Sequence, residues 1–316
     1  QQALSLLFEI GIARLEPNVI SHSAAISACA DGGHWQQALA LLRGMRELEI
    51  NPNIVSYNSG ISACEKSTQW PRALSLFREA REVELELDVA TFNAGISACE
   101  KGGQWQRSLW LLREMREVKL EPNAFGYNAG ISACEKSGQW QQALSLLFSG
   151  MGYASVDPDV VSFSAGVSAC EKAGQWQQAL SLLFEIGIAR LEPNVISHSA
   201  AISACADGGH WQQALALLRG MRELEINPNI VSYNSGISAC EKSTQWPRAL
   251  SLFREAREVE LELDVATFNA GISACEKGGQ WQRSLWLLRE MREVKLEPNA
   301  FGYNAGISAC EKGEQW

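Results

Sequence analysis

Apolar and polar residues follow a helical spacing along this chain, and the pattern restarts every 35 residues. In residues 54–88, Tyr57, Ile61 and Cys64 fall on one face of a first predicted helix, at about 100° per residue. A second predicted helix begins near Trp70. Its expected buried stripe comprises Ala73, Leu74, Phe77 and Ala80, and its expected outward side chains are Arg78, Glu79, Arg81 and Glu82. The unit is therefore a predicted helical hairpin.

Turn-forming residues mark the ends of both predicted helices. Ser56 is a predicted N-cap, and Pro71 suits the first turn of the second helix, where a missing N–H removes no hydrogen bond. Steps such as Pro52-Asn53 end most units and prevent the helix from continuing. Because one hairpin cannot bury its own apolar faces, the units are expected to stack. The predicted fold class is all-α, a right-handed α-solenoid superhelix of helix-turn-helix repeats.

Tryptophan marks the period, with a spacing of 35 residues everywhere except between Trp140 and Trp176, where it is 36. We assign the extra residue to the segment VDPDVV or to the position just before it. Residues 177–312 duplicate residues 1–136 without a difference. Since there is no polar capping repeat, we expect a stretch of a longer array. The predicted organisation is a single array, 1–316, with partial repeats 1–18 and 300–316 and full repeats 19–53, 54–88, 89–123, 124–159, 160–194, 195–229, 230–264 and 265–299.

The composition indicates a folded protein that does not rely on bulk positive charge. Hydrophobic residues make up 46% of the chain and charged residues 20%, which is sufficient for a buried core. The net charge of −9 argues against a protein that binds polyanions by charge alone. No apolar run approaches the roughly 18 residues of a membrane helix, so no membrane partner is predicted. The opening QQALSLLFEI resembles neither a secretory signal nor a transit peptide.

Nine cysteines occur, one in each repeat and always after Ser-Ala. Stacked helices lie about 8–10 Å apart, whereas a disulfide needs Cα atoms within about 7 Å. No CxxC pair suggests a zinc site, and no metal or other cofactor is predicted. We expect the cysteines to be small, reduced core residues in a reducing compartment. They are Cys29, Cys64, Cys99, Cys134, Cys170, Cys205, Cys240, Cys275 and Cys310.

The face opposite the apolar stripe of the first helix carries a second repeated set of residues. Val55, Asn58, Ser62 and Lys66 point within about 40° of a common direction, so stacking should align each position as a column along one groove. The Ser62 column never changes. The lysine column comprises Lys66, Lys101, Lys136, Lys172, Lys242, Lys277 and Lys312, with Asp31 and Asp207 in two repeats. The alternative is an ordinary solvated helix end whose lysines favour the C-terminal dipole.

Two positions vary among small hydrogen-bonding residues. The fifth residue of each unit is Ser23, Asn58, Asn93, Asn128, Ser164, Ser199, Asn234, Asn269 or Asn304. The last residue is Asn53, Asp88, Asn123, Asp159, Asn194, Asn229, Asp264 or Asn299. Capping and turn formation are a strong alternative explanation at the last position and a weak one at the fifth. The restricted variation on a constant scaffold suggests that these positions read a ligand.

These features together resemble the pentatricopeptide repeat family, in its pure 35-residue form. The resemblance rests on the period, on the pattern YNxxISAC…ALSLLxxM…PN, and on Asn or Ser at the fifth position, and it covers the whole chain. Tetratricopeptide repeats run 34 residues and carry a Leu-Gly and Tyr signature that is absent here.

The resemblance implies binding of single-stranded RNA, with one base per repeat read by two or three side chains. It implies that the fifth and last residues of each unit meet the base edge, and that the lysine column approaches phosphates. It also implies that the second residue of each unit sandwiches the bases. That position holds Ile20, Val55, Phe125, Val161, Ile196, Val231 and Phe301, with alanine at Ala90 and Ala266.

The size and hydrogen-bonding capacity of the paired side chains relate each pair to a base. Serine leaves room for a purine, whereas asparagine reaches a smaller pyrimidine. Uracil and guanine present an imino N–H, which aspartate accepts, whereas adenine and cytosine present a bare ring nitrogen, which needs the Asn N–H donor. In the family's 5′-to-3′ alignment the eight complete pairs then spell AUCUAAUC. The resemblance further implies RNA processing or stabilisation in a chloroplast or mitochondrion, with partner proteins supplying any catalysis.

Two other classes of function are alternatives to RNA binding. A protein-interaction scaffold suits an acidic α-solenoid, but it has no need for Asn/Asp alternation in register with the fifth position. An enzyme is not predicted, because every residue belongs to a repeat and no HxE…CxxC, Ser–His–Asp spacing or P-loop occurs. His22 and His198 replace the core aromatic and are expected to pack in the core.

Overall fold

A computed structural model of the chain describes residues 18–313. Helices dominate that range, and the described part contains no β-strand. The residues fall into two compact units that divide between Pro158 and Asp159. Within each unit, a repeat consists of a first helix, called helix A, and a second helix, called helix B. The prediction of an all-α helical repeat solenoid is confirmed.

The A helices are α1 Val19–Asp31, α3 Ile54–Lys66, α5 Val89–Lys101, α7 Ala124–Lys136, α9 Val160–Lys172, α11 Val195–Asp207, α13 Ile230–Lys242, α15 Val265–Lys277 and α17 Ala300–Lys312. The regular B helices are α2 Trp35–Glu47, α4 Trp70–Glu82, α6 Trp105–Glu117, α10 Trp176–Ile188, α12 Trp211–Glu223, α14 Trp246–Glu258 and α16 Trp281–Glu293. Inside each unit, an A helix packs against its own B helix and against the A helix of the next repeat. No described helix has the length and hydropathy needed to cross a bilayer.

Each A helix is capped by the residue that closes the previous repeat. Asn53 is the N-cap of α3, and its Oδ1 accepts the N–H of Ser56 at 3.0 Å. The Ser56 hydroxyl in turn accepts the N–H of Asn53 at 3.4 Å, which completes a capping box. The prediction that Ser56 is the N-cap is therefore wrong, because the cap lies three residues earlier. Pro71 does lie in the first turn of α4, as predicted.

The predicted apolar stripes form the core. Tyr57 and Ile61 of α3 are at most 1% exposed, and Phe77 of α4 packs edge-on against Phe92 of α5 with ring centroids 5.0 Å apart. This contact joins neighbouring repeats, so the apolar face of one hairpin is buried by the next. The stripe predicted for the second helix is buried at all four positions, Ala73, Leu74, Phe77 and Ala80.

Histidine takes the place of the core aromatic in two repeats. His22 and His198 are buried, and each ring Nδ1 lies within hydrogen-bond distance of a backbone oxygen one turn earlier, that of Asn18 or Asn194. Burial lowers the pKa of His198 and outweighs the opposing effect of the Asn194 carbonyl. The expected core role of both histidines is confirmed.

The single 36-residue spacing has a structural origin in helix B of that repeat. Helix α8 is α-helical over Trp140–Leu144, π-helical over Ser145–Gly150 and α-helical again over Met151–Tyr153. A π-helical turn accommodates one inserted residue without ending the helix. The extra residue therefore lies inside α8, and its expected place in or next to VDPDVV is wrong.

All nine cysteines are free thiols, eight of them buried and Cys310 half-buried, which confirms that they are unpaired core residues. Desolvation raises the pKa of the Cys29 thiol above its usual value. Burial likewise raises the pKa to about 11 at Cys64, Cys170, Cys205, Cys240 and Cys275, and to about 12 at Cys99 and Cys134. These thiols are therefore neutral at physiological pH.

Thiol titration of the native protein tests this burial. At pH 8 we expect Ellman's reagent to modify Cys310 first and the buried thiols only after unfolding in guanidinium, because the thiolate is the reactive form. Raising the pH to 9 should leave the buried thiols unreactive, since it stays below a pKa of about 11. Prompt reaction of several thiols in the native protein would contradict the burial described here.

Candidate nucleic-acid interface

The structure brings the fifth and last residues together in seven repeats, although 30 positions separate them in sequence. The Nδ2 of Asn58 donates to both carboxylate oxygens of Asp88, at 3.1 and 3.3 Å. Where serine is the fifth residue, its hydroxyl donates to the last residue's Oδ1, as from Ser23 to Asn53 at 3.4 Å. The other pairs in contact are Asn93–Asn123, Ser164–Asn194, Ser199–Asn229, Asn234–Asp264 and Asn269–Asn299, at 3.2–3.4 Å.

The capping role of the last residue leaves one of its terminal atoms for a ligand. Asn53 Oδ1 accepts the N–H of Ser56, which fixes the amide orientation, and no described residue accepts from its Nδ2. In Asp88 the Oδ1 atom accepts the N–H of Thr91 at 2.8 Å, and Oδ2 keeps acceptor capacity beyond its contact with Asn58. Asparagine at this position therefore presents a donor, whereas aspartate presents an acceptor.

Two aspartates of this set, Asp88 and Asp264, are ionised at neutral pH. Burial acts to raise the pKa of the Asp88 carboxyl, but the hydrogen bonds donated by Thr91 and Asn58 hold that pKa below its usual value. Asp264 has the same surroundings, with Thr267 and Asn234 as donors, and its pKa is lowered likewise. Both side chains are therefore carboxylates that can accept a proton donor from a base.

The third residue of the A helix also positions this pair, and sequence reasoning missed that role. The hydroxyl of Thr91 donates to Asn58 Oδ1 at 2.7 Å, and that of Ser56 lies 2.7 Å from the Ser23 hydroxyl. Glycine occupies this position at Gly126, where a Cβ would lie 2.8 Å from the buried, unpartnered Oδ1 of Asn93. The sequence signal for this role is a Ser or Thr two residues before the fifth position, which occurs in most repeats.

Seven predicted base-sandwiching side chains lie exposed on the A helices, each at the second position of its repeat. They are more than half exposed, between 52% and 73%, although all are large and apolar. Exposed apolar side chains in register give a row of surfaces on which planar groups can stack. They are Ile20, Val55, Phe125, Val161, Ile196, Val231 and Phe301.

The lysine column is engaged in ion pairs between neighbouring repeats. Lys101 Nζ lies 2.8 Å from Glu65 Oε1, and the invariant serine of the same helix, Ser97, donates to that oxygen at 2.8 Å. Asp31 pairs with Lys66 at 3.0 Å, so the aspartates of this column take the place of the glutamate. The other pairs at 2.8 Å are Lys136–Glu100, Lys242–Asp207, Lys277–Glu241 and Lys312–Glu276.

These pairs explain the invariant serine and limit the free positive charge of the groove. The Glu276 carboxyl accepts from both Lys312 and Ser308, and these hydrogen bonds outweigh burial and hold its pKa below its usual value. The lysines remain at least 36% exposed, so a phosphate can approach them only in competition with a carboxylate. Salt-dependent phosphate attraction is expected to be weak.

Family models provide the comparison that decides the identity. The model described as a pentatricopeptide repeat domain matches residues 5–67, 75–137, 181–243 and 251–312, well over half of the chain. A second model, described as a PPR repeat, matches residues 55–84 and 231–260. The chain belongs to the pentatricopeptide repeat family. A comparison with curated protein sequences gave no significant match.

Solved pentatricopeptide repeat proteins share the fold. The structure of PPR10 from maize superposes with a TM-score of 0.61 at 20% identity, covering 99% of this chain and 50% of that one. PPR10 in complex with an 18-nt psaJ RNA element superposes with a TM-score of 0.53 at 16% identity, covering 99% and 56%. This chain thus spans about half the length of these relatives, and at such identity the likeness concerns the fold alone.

Proposed function

We propose that this pentatricopeptide repeat protein binds single-stranded RNA sequence-selectively, one base per repeat. The observation that carries the proposal is the contact between the fifth and last residues, which leaves either an Asn donor or an Asp acceptor facing away from the helix cap. A base edge is the ligand that would distinguish these two atoms. An RNA-bound relative with the same fold supports RNA as the polymer.

The proposed code assigns a nucleotide to each complete repeat. Ser/Asn pairs bind A, Asn/Asp pairs bind U, and Asn/Asn pairs bind C. Reading along the chain, the pairs begin with Ser23 and Asn53 and end with Asn269 and Asn299, and give AUCUAAUC. The fourth pair of this code is Asn128 with Asp159.

Selection from a random single-stranded RNA pool tests this function without assuming the code. Bound RNAs are expected to be enriched in AUCUAAUC or close variants, with the strongest preference at positions read by Asp88 and Asp264. A matched random DNA pool should give weaker enrichment. If no RNA motif emerges, the groove does not read bases, and a protein-interaction scaffold becomes the better explanation.

Removal of one base-stacking side chain is expected to weaken RNA binding without affecting folding. Phe125→Ala should cost about 1–3 kcal/mol of RNA affinity, the range for base–aromatic stacking. The Phe125 side chain is 57% exposed, so the change should leave the melting temperature almost unaltered. Fluorescence anisotropy with labelled AUCUAAUC measures the loss.

Phe184→Ala is the matched control, because Phe184 is 71% exposed but lies on helix B. The RNA affinity of the Phe184→Ala variant should equal that of the unmodified protein. Equal affinities for the Phe125→Ala variant and the unmodified protein would contradict stacking at the second position.

We further propose that the bound RNA is protected or guided for processing in a chloroplast or mitochondrion. The repeats supply recognition through side-chain amides, carboxylates and apolar surfaces. Any cleavage or editing of the RNA would then require a partner protein.

A further inference from the structure

A cavity of about 410 Å³ opens between helices α6 and α8, on the side of the repeat formed by B helices. Leu109, Leu112 and Leu146 give it an apolar floor, and Arg113 and Arg116 line its edge beside Tyr127. None of the predicted base-reading, base-sandwiching or lysine-column residues lines it. The cavity is therefore a separate site from the groove on the A helices.

Two equivalent positions elsewhere in the chain are nearly filled, whereas the copy of this cavity beside Arg289 and Arg292 measures about 480 Å³ and is lined also by Glu311. Between α2 and α4 the corresponding cavity measures about 80 Å³, and the Glu79 carboxylate pairs there with Arg46. Between α12 and α14 it measures about 130 Å³, and Glu255 pairs with Arg222. In both places a glutamate from the following B helix neutralises the arginine and occupies the space.

That glutamate is missing from α8, which has no acidic residue between Trp140 and Tyr153. Counted back from the helix end, Gly150 takes the place that Glu79 holds in α4. Arg116 therefore donates to the hydroxyl of Tyr127 and to the Gly150 carbonyl oxygen at 2.9 Å. No acidic residue lines the cavity, and Arg113 has no ion-pair or hydrogen-bond partner among residues 18–313.

We propose that this cavity binds a small organic carboxylate with an apolar body. The carboxylate takes the position of the missing glutamate and pairs with Arg113 and Arg116, while the apolar body lies on the three leucines and the Tyr127 ring. A guanidinium binds a carboxylate in a bidentate manner, and burial of the apolar body adds affinity. The volume is in the range of small-ligand pockets.

Phenylacetate is a suitable probe, with phenylacetamide as its uncharged match and inorganic phosphate as an anion without an apolar body. Ligand-detected NMR on the full chain, up to about 10 mM probe, covers the affinities expected of such small molecules. We expect phenylacetate to bind and both comparison compounds to bind at least tenfold more weakly. Equal binding of phenylacetamide or phosphate, or no binding of phenylacetate, would overturn the proposal.

Two variants place the binding in this cavity. Arg113→Gln should reduce phenylacetate affinity at least tenfold, whereas Arg43→Gln, at the equivalent exposed position of the filled cavity, should not change it. Gly150→Glu retains both arginines and restores an internal carboxylate, so it should also abolish binding. Circular dichroism of each variant verifies the fold. Equal effects of Arg113→Gln and Arg43→Gln would contradict this location.

Discussion

Replacement of Asp88 by asparagine is expected to change the nucleotide preferred by repeat 54–88 from U to C. The substitution exchanges the Oδ2 acceptor for an Nδ2 donor, while Oδ1 continues to accept the N–H of Thr91. An asparagine at this position then meets the ring nitrogen of cytosine instead of the imino N–H of uracil. Asparagine caps a helix as well as aspartate does, so the free energy of unfolding should stay nearly constant.

The expected change is about 1–3 kcal/mol in relative preference, if single-base discrimination resembles that of DNA-binding proteins. It is measured by anisotropy with two RNAs, AUCUAAUC and the variant with C at its second position. Asp157→Asn is the matched control, since it removes the same charge from an exposed residue outside any helix. If Asp88→Asn and Asp157→Asn alter the two affinities equally, the last residue does not read the base.

Truncation of Ile61 is expected to have the largest effect on stability. Its side chain is fully buried in α3, and the loss of three methyl or methylene carbons leaves a cavity that helices on both sides must fill. Ile61→Ala should lower the free energy of unfolding by about 2–5 kcal/mol. Urea denaturation followed by circular dichroism measures the change.

The duplicated sequence supplies a matched test of this effect. Ile237 occupies the same position in the second copy of the sequence and is also fully buried, so Ile237→Ala should destabilise its own unit by a similar amount. Val55→Ala on the same helix as Ile61 should change the free energy of unfolding by less than about 0.5 kcal/mol, because Val55 is 52% exposed. A small effect of Ile61→Ala would mean that neighbouring repeats do not share this core.

The helical hairpin and its core were predictable because they depend on local periodicity. Tyr57, Ile61 and Phe77 recur at spacings that only a helix places on one face, and the 35-residue period requires neighbours to cover that face. The position of the inserted residue was not predictable from composition. A π-helical turn has no distinctive sequence, and the segment VDPDVV contained the more visible helix-breaking residues.

The candidate site was predictable in its members and less so in its geometry. Family resemblance identified the fifth and last residues, but the Asn58–Asp88 contact arises from stacking of one A helix on the next. Stacking also produces the ion pair between Lys101 and Glu65, which a sequence read one repeat at a time does not reveal. Contacts between repeats therefore determine which polar atoms remain available to a ligand.

The central claim of base reading is tested most directly by titrating the protein into labelled AUCUAAUC RNA and, separately, into a scrambled RNA of equal composition. Both titrations are repeated across a salt series. We predict tighter binding of AUCUAAUC and a preference that persists as salt rises, because amide and carboxylate contacts to bases release no counterions. Most lysines near the groove are already paired with carboxylates, so the salt dependence should be shallow. Equal, strongly salt-sensitive binding of both RNAs, or no binding, would contradict the account.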